Sequence, residues 1–114
     1  LDMAADAGYE EYMGAVEIFM NDVNIDMLII IVLFQAPAVD ERILNMLIRY
    51  SSDRRKPIAV IASGGAYTEM YKKILEANHV PTYGSPSGAV KAIKKLYEYS
   101  MYRKDMTKHP NQKK

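Results

Sequence analysis

The sequence predicts an α/β fold in which a small, mostly parallel sheet lies between helices, three layers in all. Two continuous apolar runs rich in β-branched residues stand out, Met27-Leu28-Ile29-Ile30-Ile31-Val32-Leu33-Phe34 and Ile58-Ala59-Val60-Ile61-Ala62. Helical periodicity surrounds and separates them. Alternation of that kind builds a parallel sheet joined by right-handed crossovers.

The first helix starts near Tyr9 and carries Tyr12, Met13, Val16, Phe19 and Met20 on one stripe. Residues 27–34 follow as a strand. Successive strand side chains point to opposite faces, so an unbroken apolar run predicts cover on both faces. The short length and flanking turn residues favour a strand over a buried helix. After Asp40, residues Ile43, Met46, Leu47 and Tyr50 form a second helical stripe, widened by Leu44 and Ile48. Residues 58–62 form the second strand. A third helix over residues 66–78 presents Tyr67, Met70, Tyr71, Ile74 and Leu75. Val80-Pro81-Thr82-Tyr83 is a short third strand, and Pro81, which lacks an N–H, places it at or near an edge. Ser85 caps the last helix and Pro86 opens it, with Val90, Ile93, Leu96 and Tyr97 on its apolar side. Residues 1–102 thus read as a single domain. From about Arg103 the periodicity is lost, and residues 103–114 are expected to form a basic, flexible tail.

At 114 residues the chain fits one domain. Its 49% hydrophobic and 25% charged content is that of a globular protein, not a disordered one. The absence of cysteine removes disulfide and thiolate chemistry. Fifteen basic and fourteen acidic side chains leave a formal net charge of +1. Nucleic-acid and membrane-surface binding call for a one-signed basic field, so neither partner is expected. The run over residues 27–34 falls short of the about 20 residues that span a bilayer. No signal-peptide pattern is visible, and the expected location is the cytoplasm.

Ligands of open parallel sheets gather beyond the carboxyl ends of the strands. Three loops meet that edge: Gln35-Ala36-Pro37-Ala38, Ser63-Gly64-Gly65-Ala66 and Gly84-Ser85-Pro86-Ser87-Gly88. In the middle loop, paired glycines allow a sharp turn and a close backbone approach, and the following helix offers free N–H groups to an anion. Ser63, Gly64, Gly65 and Ala66 are therefore candidate phosphate-binding residues, beside the simpler reading of a tight turn. The spacing matches neither the P-loop nor the dinucleotide-binding pattern. His79 follows Asn78 at a helix end, and His109 lies in the tail; neither has an evident acid–base partner. Glu10-Glu11 and Asp40-Glu41 fall in first helical turns, where carboxylates complement the dipole. Arg54-Arg55-Lys56 falls at the opposite edge and reads as a solvated turn. No catalytic residue and no metal-ligand set is expected in this chain.

Taken in order, these segments resemble the NDP-forming acyl-CoA synthetases. Leu1-Asp2-Met3-Ala4-Ala5-Asp6 looks like the end of that family's N-P-x-D-[LM] segment. Tyr9 to Met20, then Asn21-Asp22-Val23-Asn24-Ile25-Asp26, are similar to its helix and acidic-asparagine turn. Lys56-Pro57-Ile58-Ala59-Val60 resembles its K-P-[VI] strand opening. Ser63-Gly64-Gly65 with Ile74-Leu75-Glu76-Ala77-Asn78 matches its glycine pair and amphipathic helix. Val80-Pro81-Thr82-Tyr83-Gly84-Ser85-Pro86 and Ala89-Val90-Lys91-Ala92-Ile93 look like its I-P-x-Y-x-x-P-x-x-A-V-x-A ending.

The resemblance covers about residues 1–102 and implies a flavodoxin-like (Rossmann-like) domain related to the carboxy-terminal domain of the succinyl-CoA synthetase β subunit. Such enzymes interconvert an acid, CoA and ATP with acyl-CoA, ADP and phosphate, or use the guanine nucleotides. They pass the phosphoryl group through a histidine in another domain. The implied role of this domain is to hold that group at the helix N-terminus after the glycine loop, through the backbone of Gly64, Gly65 and Ala66. The implied partners are the CoA-binding, phosphohistidine and ATP-grasp domains, which would also engage CoA, ADP or ATP, and Mg. Neither His79 nor His109 lies in the family's histidine motif, and His79 stands where the family usually ends its helix with glycine. The family's asparagine and proline would precede Leu1, so the chain reads as an excised domain, inactive alone. Two alternatives remain: a stand-alone flavodoxin-like anion-binding or regulatory module, and the synthetase-like part of a protein lysine acetyltransferase.

Overall fold

Backbone pairing begins where the two apolar runs lie side by side. The computed structural model describes residues 1, 3, 6–53 and 55–108. Its elements are α1 (Tyr9–Asn21), β1 (Leu28–Ile31), α2 (Glu41–Ser52), β2 (Ile58–Ile61), α3 (Gly65–Ala77), β3 (Thr82–Tyr83) and α4 (Pro86–Lys108). The strands form one parallel sheet in the order β1-β2-β3, with Leu28 opposite Ile58, Ile31 opposite Ile61, and Val60 opposite Thr82. The pairing runs on past the strand ends, where Val32 N–H donates to Ile61 O at 3.0 Å and Ala62 N–H to Tyr83 O at 3.0 Å.

Right-handed crossovers that advance in one direction put α2 and α3 on the same face. There α1 packs on α2 and α2 on α3, while α4 crosses β2 and β3 on the other face. This is the three-layer, flavodoxin-like α/β arrangement that the sequence predicts. The main core forms between the sheet and the first helical layer, with Val32, Ile43, Leu47, Val60, Leu75 and Val80 fully enclosed. Pro81 precedes an edge strand, as its missing N–H requires.

Helix ends are closed by specific partners. The Asp40 carboxylate accepts from Arg42 N–H at 2.9 Å, and the Ser85 hydroxyl from Gly88 N–H at 3.3 Å. Lys56 is not simply solvated: its ammonium donates to Phe19 O at 2.8 Å and Asp22 O at 2.5 Å, at the negative end of α1. Arg55 donates to Asp53 at 2.7 Å and Asn21 at 3.1 Å; Arg54 lies outside the described residues, as do Asp2, Ala4 and Ala5 of the opening segment.

Three expectations change. On β1, Ile29 and Ile31 are 39% and 59% exposed, so this strand is covered on one face only. On α3 the buried residues are Thr68, Tyr71 and Leu75, while Tyr67, Met70 and Ile74 reach solvent; the helix touches its neighbours along a narrower line than its apolar stripe. Residues 103–108, read as tail, continue α4. That helix has 23 residues, about 34 Å at the α-helical rise, and overhangs strands of four residues or fewer, so its far end needs no apolar stripe. His109 and the rest of residues 109–114 lie outside the described residues.

The end of α3 is a Schellman closure, in which Val80 N–H reaches Leu75 O at 2.9 Å and His79 N–H reaches Glu76 O at 3.0 Å. This turn needs a left-handed residue, and His79 holds φ at 65°. A side chain there costs roughly 1–2 kcal/mol, against about 0.5–1 kcal/mol of extra unfolded-state freedom for glycine. His79→Gly is therefore expected to stabilise the chain by about 0.5–1 kcal/mol, read from the midpoint of urea unfolding at unchanged slope.

Candidate functional site

The three loops come together at the carboxyl edge because all three strands point the same way. Beyond β1 the chain turns twice, with Ala36 N–H on Leu33 O and Val39 N–H on Ala36 O, both at 3.0 Å. Those turns aim Gln35 across the edge. Its carboxamide donates to Gly64 O at 2.9 Å and to Ser63 O at 3.4 Å, tying the first loop to the glycine loop. In the sequence Gln35 is only a polar residue after a strand; its reach became visible once β1 and β2 were in register.

Ser63, Gly64, Gly65 and Ala66 are all exposed. Gly64 sits at φ 113°, ψ 109° and Gly65 at φ 66°, backbone regions that L side chains rarely adopt. A Cβ on Gly64 would overlap the Gln35 amide, whereas one on Gly65 would meet nothing within 4 Å. The turn thus requires glycine at position 64 and favours it at position 65, and the space above Gly65 is open.

Three helices start at this edge. The first turn of α2 is capped by Asp40 and that of α4 by Ser85, but no side chain caps α3. The first N–H groups of a helix have no intrahelical acceptor. At α3 they accordingly face outward behind two glycines, at the positive end of the helix dipole. Asp40, which has its own partner in Arg42 at 2.9 Å, is held below the usual carboxylate range by that side-chain bond and by Arg42 N–H.

An aromatic cluster braces the same helix. Phe34, just past β1, stacks on Tyr71 at 4.9 Å between centroids, and Tyr67 meets Tyr71 edge-on at 4.8 Å. The two hydroxyls are 2.9 Å apart. This bond, then burial, pushes the Tyr71 phenol up to about 12. Thr68, fully buried one turn into α3, has a hydroxyl with no hydrogen-bond partner among the described residues.

The remaining candidates stay apart. His79 ends α3, at the opposite side of the sheet from the helix start. Among the described residues no three His, Cys, Asp or Glu side chains are placed to hold a metal ion. No helix among them is long and apolar enough to cross a membrane. A groove of about 520 Å³ lies along β1 and α1 and not at the glycine loop.

Two outcomes test this geometry. Gly64→Ala is expected to destabilise by about 1–2 kcal/mol from left-handed strain, and its Cβ also displaces Gln35, so it is expected to cost more than Gln35→Ala, whose one short exposed hydrogen bond, to Gly64 O, is worth about 0.5–1.5 kcal/mol; chemical denaturation of both variants ranks them. The Tyr71 phenol also imposes a pH dependence. Its pKa lies above the ordinary value of 10.0, so its contribution is complete below pH 10 and is lost as pH rises toward about 12. Tyr67→Phe should lower the Tyr71 pKa, read as an earlier phenolate absorbance rise in alkaline titration.

No protein-family model matches the chain. Among solved structures it is similar to the crystal structure of PH0766 from Pyrococcus horikoshii OT3, with 31% sequence identity and a TM-score of 0.64. The likeness covers 75% of this chain and 20% of PH0766, so the chain matches about one fifth of that protein's length.

Proposed function

We propose that this chain is a flavodoxin-like domain of an NDP-forming acyl-CoA synthetase, and that the backbone of Ser63, Gly64, Gly65 and Ala66 receives a phosphoryl group there. The observation that carries this reading is the uncapped, exposed start of α3 behind two left-handed glycines. The similarity to PH0766 supports a synthetase-domain role in general terms. The ordered resemblance of residues 1–102 supplies the finer assignment.

The chemistry follows from the donors present. N–H groups at a helix start can bond phosphoryl oxygens, and the dipole favours the negative charge. With open space at Gly65, an oxygen can approach the backbone without meeting a side chain. This part of the enzyme therefore binds and orients. The phosphorylated histidine, CoA and the nucleotide fall to the other domains. The family's Mg is, on this reading, assigned to those domains as well. On this reading the chain alone does not turn over, its partners are the CoA-binding, phosphohistidine and ATP-grasp domains, and it works in the cytoplasm.

The test is Gly65→Asp in the whole enzyme. The carboxylate would occupy and repel the phosphoryl position, and a loss of about a hundredfold or more in phosphohistidine formation is expected, comparable to removing a preorganised oxyanion donor. Gly65→Ala adds the same backbone strain without the charge and separates the two effects. Near-normal phosphoryl transfer in the aspartate variant overturns the assignment.

A further inference from the structure

Charge is distributed unevenly along the chain. Residues 1–85 carry seven basic and twelve acidic side chains, whereas α4 carries six basic and two acidic. The formal net charge of +1 therefore conceals an acidic body and a basic helix. That helix packs on β2 and β3 through its first turns, where Ala89 is buried and Ala92 and Ile93 are half-buried. Every residue from Lys94 to Asp105 is exposed. Helical stretches of about 12–15 residues are marginal in water without packing, so this arm gains from cover.

Two exposed helix faces match in both apolar shape and charge. On α4, Tyr97 and Met101 lie one turn apart, and Lys94 and Lys104 flank them three residues to either side. On α1, the side turned away from Tyr12, Val16 and Met20 carries Gly14 and the exposed Ile18, with Glu10 and Glu17 one turn to either side of Gly14. Helix α1 contains no basic residue. Nothing lies within 4 Å of where a Cβ on Gly14 would stand, which leaves room for a large side chain. None of Lys94, Lys104, Glu10 and Glu17 takes part in the ion pairs of the described residues. Because α1 packs on α2 and α4 crosses the other face, the sheet keeps these two surfaces apart within one molecule. They can meet only between molecules.

We infer that α4 of one copy docks on α1 of a second copy, with Tyr97 and Met101 over Gly14 and Ile18, and Lys94 and Lys104 against Glu10 and Glu17. The two lysines stand about 15 Å apart along α4 and the two glutamates about 10 Å apart along α1, a difference that the long lysine side chains span. Each copy offers one arm and one seat, so reciprocal docking closes a two-fold dimer. The acidic body and the basic arm attract one another, while a net charge near zero leaves little overall repulsion between copies. The inference goes beyond the proposed function and does not depend on the glycine loop.

Charge exchange in the natural gene product tests the contact. Light scattering in 0.1 M salt is expected to give twice the mass of one polypeptide. The dimer is expected to be about tenfold or more weaker in 1 M salt, where the screening length falls from about 10 Å to about 3 Å. Lys94→Glu with Lys104→Glu, and separately Glu10→Lys with Glu17→Lys, should each weaken it by about tenfold or more, because like charges then face each other. Mixing the two variants sets opposite charges together at both contacts and is expected to restore a mixed dimer. All four positions are exposed, so unchanged unfolding midpoints show that the fold is kept. A dimer that neither variant weakens, or a mixture that stays monomeric, overturns the inference. So does a monomeric gene product; protection of its Lys94 and Lys104 from acetylation would then assign the cover of α4 to another part of the same polypeptide.

Discussion

The central strand β2 imposes the constraint on which the other elements depend. It hydrogen-bonds on both edges, and all four of its side chains are withdrawn from water. Burying a Val or Ile side chain is worth about 1.5–3 kcal/mol, so Ile58, Val60 and Ile61 together outweigh any surface interaction in this chain. Because both neighbours pair in parallel to the same strand, their carboxyl ends fall on one edge. The loops after β1 and β2 then stand close enough for Gln35 to bridge them.

That edge distributes its polar groups unequally. Asp40 and Ser85 satisfy the starts of α2 and α4, and the glycine pair leaves the start of α3 open. Magnitude limits what such a helix end can do by itself. An exposed dipole contributes about 0.3–1 kcal/mol to an anion, less than the 1.4 kcal/mol that makes a tenfold change in affinity. On the proposed function, a site at α3 would be one wall of a larger site, with other domains supplying the rest. Phe34 packs on Tyr71, and Tyr71 on Tyr67, along the first turns of that helix.

Much of the fold was legible in the residues because it depends on local rules. Continuous β-branched runs specify strands, Asp40 and Ser85-Pro86 announce helix starts, and Pro81 marks an edge. The glycine loop was legible for the same reason, since L side chains rarely adopt the backbone angles found at positions 64 and 65. What local rules missed involves partners distant along the chain. Lys56 closes α1 from 34 residues away, and Gln35 reaches a carbonyl 29 residues on. Neither residue type carries a signal of that reach.

By itself, the sequence determined the type and order of the elements, the parallel α/β class and the candidate loop. Periodicity, caps and backbone preferences are properties of neighbouring residues, and they survive without a fold. Only the tertiary structure decided which apolar faces are covered. It left Ile29 and Ile31 open while covering Ala59 and Ile61, rotated the contact line of α3 to Thr68, Tyr71 and Leu75, and carried α4 past the sheet. Apolar character states that a side chain gains from burial, but whether burial occurs depends on an element from elsewhere in the chain arriving there, and that is fixed by strand order and crossover hand.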